Sequence, residues 1–259
     1  MKCPIYLLVV YFFLLSSCSE KVQTKDQSIS LSEIDSTYFV DTSAGLSSTN
    51  SFSQINTTPN VVILTGLDHV RLFSVYKIPN GYNKNIVYDE GTSYFKEEYG
   101  ENEHEYKYFM PGIDIIHGYN LVNFGHYRVD SGTVSYFFET PVLINTLYFP
   151  GVRKDSLGKQ ETSRNYFLVS VYNADTNNDS VITNKDLRRF FYIDALNKNK
   201  ISLLPENYSA IRSSYDYKND MMFIHARHDK NKNGIPEVDE SVSIFQLDLK
   251  NPKTLKKII

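Results

Sequence analysis

From residue 59 onward the chain runs in short apolar segments separated by turn residues: 61–64, 70–78, 85–88, 121–129, 133–138, 142–149, 166–172, 189–195 and 241–249. Short runs rich in Val, Ile, Tyr, Phe and Thr and bounded by Gly, Pro, Asn or Asp are the signature of strands. Asn80-Gly81 and Asp130-Ser131-Gly132 mark tight hairpins. No stretch keeps a helical period over three turns, and only 184–189 fits a single turn. The pattern predicts an antiparallel all-β domain over 59–259. Ahead of it, 18–58 is rich in Ser, Thr, Asp and Gln with scattered apolar residues such as Tyr38, Phe39, Val40 and Phe52. That composition buries too little surface to offset chain entropy, so it predicts a flexible tether, with 37–41 as one stray docking strand.

The strand pattern repeats. Sliding the chain by 54 residues lays Phe167 to Ala174 on Met221 to His228, Asp175 on Asp229, Phe191 on Phe245, Asp194 on Asp248, Asn197 on Asn251 and Ile201 on Leu255. Each unit reads as strand, long polar loop, strand, short turn, strand. Without the inserted twelve-residue loop the period falls to about 42, within the range of propeller blades. The ending from Ser243 to Lys257 resembles the outer part of such a blade. The expected architecture is therefore a propeller-like array of four or five blades, complete or incomplete, with a β-sandwich as the alternative.

Both polar insertions have a defined spacing. The first carries Asp175, Asn177, Asp179, Ser180, Val181, Thr183 and Asp186; the second carries Asp229, Asn231, Asn233, Gly234, Ile235, Glu237 and Glu240. Each resembles the twelve-residue calcium loop of EF-hands and dockerin-type repeats, with side-chain oxygens at positions 1, 3 and 5, a tight turn at 6, a backbone carbonyl at 7, a polar group at 9 and a carboxylate at 12. Calcium is a hard cation that takes six to eight oxygens, and alternate residues of one tight loop can aim at a common centre. The resemblance implies calcium as cofactor. Its ligands would be Asp175, Asn177, Asp179, the Val181 carbonyl, Thr183 and Asp186 in loop one. In loop two they would be Asp229, Asn231, Asn233, the Ile235 carbonyl, Glu237 and Glu240. Ser180 replaces the usual Gly at position 6, which weakens loop one, and Asp186 is expected to coordinate through one oxygen. Pro236 at position 8 lacks the amide through which paired EF-hands bridge, so the two loops are not expected to pair that way. The flanking residues are strand-like, so the loops are expected between strands.

The N-terminus adds an address. Lys2 precedes an apolar run over 5–15, shorter than the roughly 20 residues of a spanning helix, and the polar Ser16-Ser17 closes it. That is a signal-peptide pattern over 1–17. Leu15-Ser16-Ser17-Cys18 resembles the lipobox of bacterial lipoproteins, which implies acylation at Cys18 and attachment to a membrane. Ser19, where inner-membrane retention often has Asp, implies an outer-membrane destination facing the periplasm or the surface. Cys3 and Cys18 are the only cysteines, so a mature domain beyond Cys18 has neither a disulfide nor a thiolate site. A net charge of -3 gives counterion release little to act on, which argues against nucleic acid as a partner.

Catalytic motifs are missing from the sequence. No nucleophile elbow, phosphate loop, dinucleotide fingerprint or zinc-protease pattern occurs among the six histidines. Asp68-His69 is an isolated pair, His225 and His228 point to opposite faces of a strand, and the acidic run 97–103 reads as a solvated loop. The expectation is a calcium-stabilised binding or envelope-assembly module for a protein or glycan ligand, without catalytic residues. The alternative is a carboxylate-dependent hydrolase acting on glycans or peptides, whose two acids are placed by the fold and need no local motif.

Overall fold

The computed structural model describes residues 27–33, 55, 57–78, 110–118, 120–157 and 160–259. Cys18, the apolar run before it, the segment 37–41, the hairpin signal Asn80-Gly81, the segment 85–88 and the acidic run 97–103 lie outside these residues. What is described is all-β and antiparallel, as expected, with one 3-10 turn at Leu31–Glu33.

Three meandering sheets carry the fold. The first holds β2 (Thr57–Leu64), β3 (Val70–Lys77), β5 (Leu121–Arg128) and β6 (Thr133–Tyr136) in that order. The second holds β4 (Ile113–His117), β7 (Leu143–Pro150), β10 (Tyr166–Tyr172), β12 (Arg189–Asp194) and β13 (Lys200–Ser202), again side by side in chain order. The third is β14 (Tyr208–Asp216), β15 (Met221–His228), β16 (Val242–Asp248) and β17 (Leu255–Lys257). Two small ladders complete the set, β1 (Ser28–Ser30) with β11 (Val181–Thr183), and β8 (Asp155–Leu157) with β9 (Gln160–Thr162).

The sheets stack face to face, with the second in the middle. Phe167, Val169 and Val171 of β10 pack with Leu72 of β3 and Phe124 of β5 in one core. Tyr166 and Leu168, on the opposite face of the same strand, pack with Met222, Ile224 and Phe245 of the third sheet in another. A strand buried on both faces needs no polar alternation, which is why 166–172 reads as a continuous apolar run. β15 has one covered face, so buried Met222, Ile224 and Ala226 alternate with half-buried Phe223, His225 and Arg227. Each adjoining pair of sheets packs in a manner compatible with the expected alternative, a β-sandwich; among the described residues no ring closes, and a propeller of four or five blades is not found.

A buried ion pair ties the second sheet to the third. Arg164, just ahead of β10, donates to both Asp220 oxygens, to Pro111 O and to Leu249 O. The two side chains are 3% and 2% exposed. Tyr166 Oη donates to Leu249 O and Tyr215 Oη to Asp220 Oδ1, so the pair is surrounded by satisfied partners.

The internal repeat is real but not gapless. Asn197 N donates to Asp194 O, and Asn251 N to Asp248 O, so those turn residues superpose at the 54-residue slide. Phe191 and Phe245 also correspond, each on the face toward the preceding sheet. The strand before the loop does not follow. Val171 faces Arg189 whereas Ala226 faces Ser243, so β10 superposes on β15 only with one residue more. The lead-in to the first loop is one residue longer than that to the second. Because side chains alternate, a one-residue slip exchanges the faces of a strand. Likewise Ser202 and Lys257 are equivalent, and Ile201 matches Lys256 rather than Leu255.

The stretch 18–58, expected to be a tether, is docked among the described residues at Ser28–Ser30 and at Ile55, and its last two residues, Thr57 and Thr58, begin β2. Ile29 of β1 is wholly buried against Ile182 of β11, in a third cluster that includes Ile55, Val75, Val122 and Leu143. A single isoleucine between serines carries no strand signal, and its burial depends on an acceptor site formed elsewhere in the chain.

Candidate metal loops and an inter-sheet cleft

The insertions 175–186 and 229–240 occupy the same place in their meanders, between β10 and β12 and between β15 and β16. They also adopt one conformation. At position 1, Asp175 accepts from Asp179 N (3.1 Å) and Ser180 N (2.8 Å), and Asp229 from Asn233 N (3.2 Å) and Gly234 N (3.0 Å). At position 3, Asn177 Oδ1 accepts from Asp179 N and Asn231 Oδ1 from Asn233 N. At position 5, Asp179 accepts from Val181 N and Asn233 from Ile235 N. At position 12, Asp186 accepts from the amides of Thr176 and Thr183, and Glu240 from those of Lys230 and Glu237. Positions 4 and 6 are left-handed in both: Asn178 φ 58°, Ser180 φ 69°, Lys232 φ 58° and Gly234 φ 75°.

These bonds cause the shape. A carboxylate or amide oxygen that accepts from the backbone two to five residues ahead curls the chain around itself. The side chains at positions 3, 5 and 9 also approach one another: Asn177 Nδ2 donates to Asp179 Oδ2 at 3.1 Å, and Asn231 Nδ2 to Glu237 Oε2 at 2.8 Å. The ring is not fully drawn together. Among the described residues no three acidic, histidine or cysteine side chains form a cluster able to hold a metal. The Thr183 hydroxyl accepts from Lys185 N in the following turn, and the Ile235 carbonyl accepts from Glu237 N.

Counting lone pairs separates the two loops. A carboxylate offers about four acceptor sites, two on each oxygen. Asp186 Oδ1 receives Thr176 N and Asn177 N, which fill its two lone pairs, while Oδ2 receives only Thr183 N. One lone pair remains, on one oxygen. Glu240 takes a single amide on each oxygen, so both retain a lone pair for a cation. The donor set, with hard oxygens and no thiolate or imidazole, suits calcium.

The loops also touch. The Thr176 hydroxyl donates to Gly234 O at 2.6 Å and accepts from Leu187 N. A Cβ on Gly234 would stand 2.8 Å from Asn177 N and closer still to the Thr176 carbonyl. Contact therefore runs from position 2 of one loop to position 6 of the other, and not through position 8, where Pro236 has no amide to give. Thr176 carries no signal in the sequence, since nothing in the loop pattern restricts position 2.

A second feature is a cleft of about 920 Å³ walled by β2, β4 and β14. Its lining is mostly apolar, with Asp114, His117, Arg153 and Asp155 among its polar groups. Burial, and then the neighbouring Asp155 carboxylate, raise the Asp114 carboxyl above its usual range against the opposing pull of Arg153 and the Val152 amide. Asp155 Oδ2 accepts from Gly112 N at 2.9 Å. Burial lowers His117, whose Nδ1 is 3.2 Å from Thr146 Oγ1. Arg188 is committed to the scaffold, donating to Ala210 O, Ile211 O and Asn145 Oδ1. Asp114 and Asp155 belong to different sheets, and no local motif marks them. The histidines considered earlier remain apart: His228 Nε2 lies 2.6 Å from Asn207 Nδ2 and its ring stacks on Tyr208, while His225 is half-buried on the outer sheet.

No protein-family model, no characterised protein and no solved structure matches this chain. Fold and loops define it as an all-β protein of stacked antiparallel meanders with two equivalent polar turns. Among the described residues no helix is long and apolar enough to cross a membrane.

Proposed function

We propose that this protein is an exported lipoprotein, held at the outer membrane through acylated Cys18, whose stacked sheets are stiffened by calcium in the loops 175–186 and 229–240. It serves as a binding or envelope-assembly module for a protein or glycan ligand. The supporting observation is the shared conformation of the two loops, in which oxygen side chains at the same four positions, 1, 3, 5 and 12, curl the backbone around themselves. Calcium supplies a charge that gathers those oxygens and fixes a long insertion whose ordering otherwise costs entropy. Calorimetric titration is the test: two sites are expected, with dissociation constants of about 10⁻⁴ to 10⁻³ M as in extracellular modules. At about ten times those constants each site adds about 1.4 kcal/mol, and for a chain of this size the two together raise Tm by about 5 to 10 °C. Melting curves that coincide in calcium and in chelator exclude this role. The anchor is tested separately: Cys18→Ser is expected to move the protein from the membrane fraction to the soluble one.

One observation favours a second reading, a carboxylate-dependent hydrolase of envelope glycans or peptides. Asp114, raised by burial and by Asp155, is a carboxyl suited to proton donation at the wall of a cleft. Asp114→Asn and Asp155→Asn would each abolish hydrolysis of such polymers while leaving calcium binding intact. If wild type releases no product from envelope glycan or peptide, this reading fails and the binding module stands.

A further inference from the structure

Loop one differs from loop two in carrying a partner strand. Its residues Val181–Thr183 form β11, which pairs with β1 from the far end of the described chain: Ser28 with Thr183, Ile29 with Ile182, Ser30 with Val181. Leu31 N continues the ladder by donating to Ser180 O at 2.9 Å, and Lys77 Nζ donates to Ser28 O at 3.0 Å. Ile29 and Ile182 are 0% and 3% exposed. In loop two the corresponding residues are Ile235, Pro236 and Glu237. Pro236 has no amide for such a ladder, and Val238 beside them stands 88% exposed.

The paired strand is also the part of loop one that an ion would fix. Val181 is position 7, whose carbonyl is the backbone ligand; Thr183 is position 9, and its amide is held by the position-12 carboxylate of Asp186. Ser180, whose carbonyl accepts from Leu31, is the left-handed turn residue at position 6. An ion in the loop and a strand on its edge therefore require the same backbone conformation over 180–183. Whichever is present lowers the ordering cost of the other.

We infer that β1 is a calcium-dependent strap: filling loop one locks the edge on which Ser28–Ser30 docks, and docking tightens loop one for calcium. The inference rests on the calcium reading of that loop. Its consequence concerns reach. Ser28 follows Cys18 by ten residues and Thr57 follows it by thirty-nine. At about 3.4 Å per extended residue, a lipid-anchored Cys18 stays within about 34 Å of the domain when strapped and about 130 Å when released. Calcium would draw the domain toward the membrane.

The experiment is amide hydrogen exchange on the full-length protein in EGTA and in calcium chloride, beside calorimetric titration of the same samples. Protection over 28–31 and 181–183 is expected to rise together as loop one fills, and Asp175→Asn is expected to remove that rise at both segments while loop two still takes up calcium. Leu31→Pro deletes the amide that donates to Ser180 O without touching the buried Ile29, and is expected to weaken calcium at loop one about fivefold, with loop two unchanged. Ile29→Asp, a harsher variant, is expected to do more. If loop one fills while protection over 28–31 is identical in EGTA and calcium, the strap is wrong and the calcium reading survives. If neither loop takes up calcium, both are wrong.

Discussion

The contact between the two loops can be isolated by comparing two glycines. Gly132 and Gly234 both lie in the left-handed region, at φ 66° and 75°, where alanine costs about 1 to 2 kcal/mol for conformation alone. Their surroundings differ. A Cβ on Gly132 meets nothing within 4 Å, whereas one on Gly234 stands 2.8 Å from Asn177 N and nearer to the Thr176 carbonyl. Those atoms are backbone, so relief requires the loops to part, breaking the contact between the Thr176 hydroxyl and Gly234 O. Overpacking of this kind adds about 1 to 3 kcal/mol. Gly132→Ala is therefore expected to lower stability by about 1 to 2 kcal/mol, and Gly234→Ala by about 2 to 5 kcal/mol once both contributions act. Urea unfolding of the two variants and wild type in EDTA reads the difference without any contribution from calcium. Equal midpoints for the two variants at equal slope would refute the reasoning, because they would mean that the loops do not touch.

Other outcomes follow from the same geometry. Ser180→Gly removes the left-handed cost of a side chain at position 6 of loop one and is expected to stabilise the protein by about 1 kcal/mol in chelator, read as a higher urea midpoint. Arg164→Met leaves Asp220 charged and unpaired between two sheets, at a cost of about 3 to 5 kcal/mol; Arg164→Met with Asp220→Leu is expected to recover most of that loss in the same assay. His126, which contacts Ala195 O through Nε2 at 2.9 Å, is lowered chiefly by burial, as are His117 and His225. The unfolded chain then binds more protons than the folded one once the pH drops through about 6.5. Stability is accordingly expected to fall on acidification from pH 7 toward 5, measured as Tm across that window, and His126→Gln is expected to flatten the slope.

How far the sequence revealed this structure depended on whether the cause was local. The run Tyr166 to Tyr172 announced a strand because both its faces are covered, and the alternation of Met222, Ile224 and Ala226 announced one with a single covered face. The loops were legible as twelve-residue patterns because each is folded by its own side chains onto its own amides. What escaped depended on contacts between distant residues. The one-residue slip between β10 and β15 leaves composition unchanged and is visible only in which residues face each other. β1 contains one apolar residue and becomes a strand only because β11 offers an edge. Asp114 and Asp155 share a cleft because β4 pairs with β7 and β8 follows β7, and Thr176 matters because the neighbouring sheet brings Gly234 against it.

The interface between the second and third sheets is fastened at both ends of the same two strands. Arg164 precedes β10 and Asp220 precedes β15, and their buried ion pair joins the two starting points. Thr176 follows β10 and Gly234 follows β15, and their contact joins the two ends. Between them lies the apolar core of Leu168, Met222 and Ile224. Among the described residues the third sheet has a neighbour on one side only, and the two fastenings add to that apolar core and to the bonds from Arg188 to Ala210 O and Ile211 O. The ion pair is sealed from water and answers weakly to salt. The loop contact is built on turns whose carboxylates, by the lone-pair count, are fully committed in Asp186 Oδ1 and half-committed in Glu240. On the proposed calcium reading it is the end that a divalent cation would adjust, and it lies on the same loop that receives β1. The arrangement places the adjustable fastening, the strap and the edge of the outer sheet along one continuous run of backbone, from Thr176 through Ser180 to Thr183.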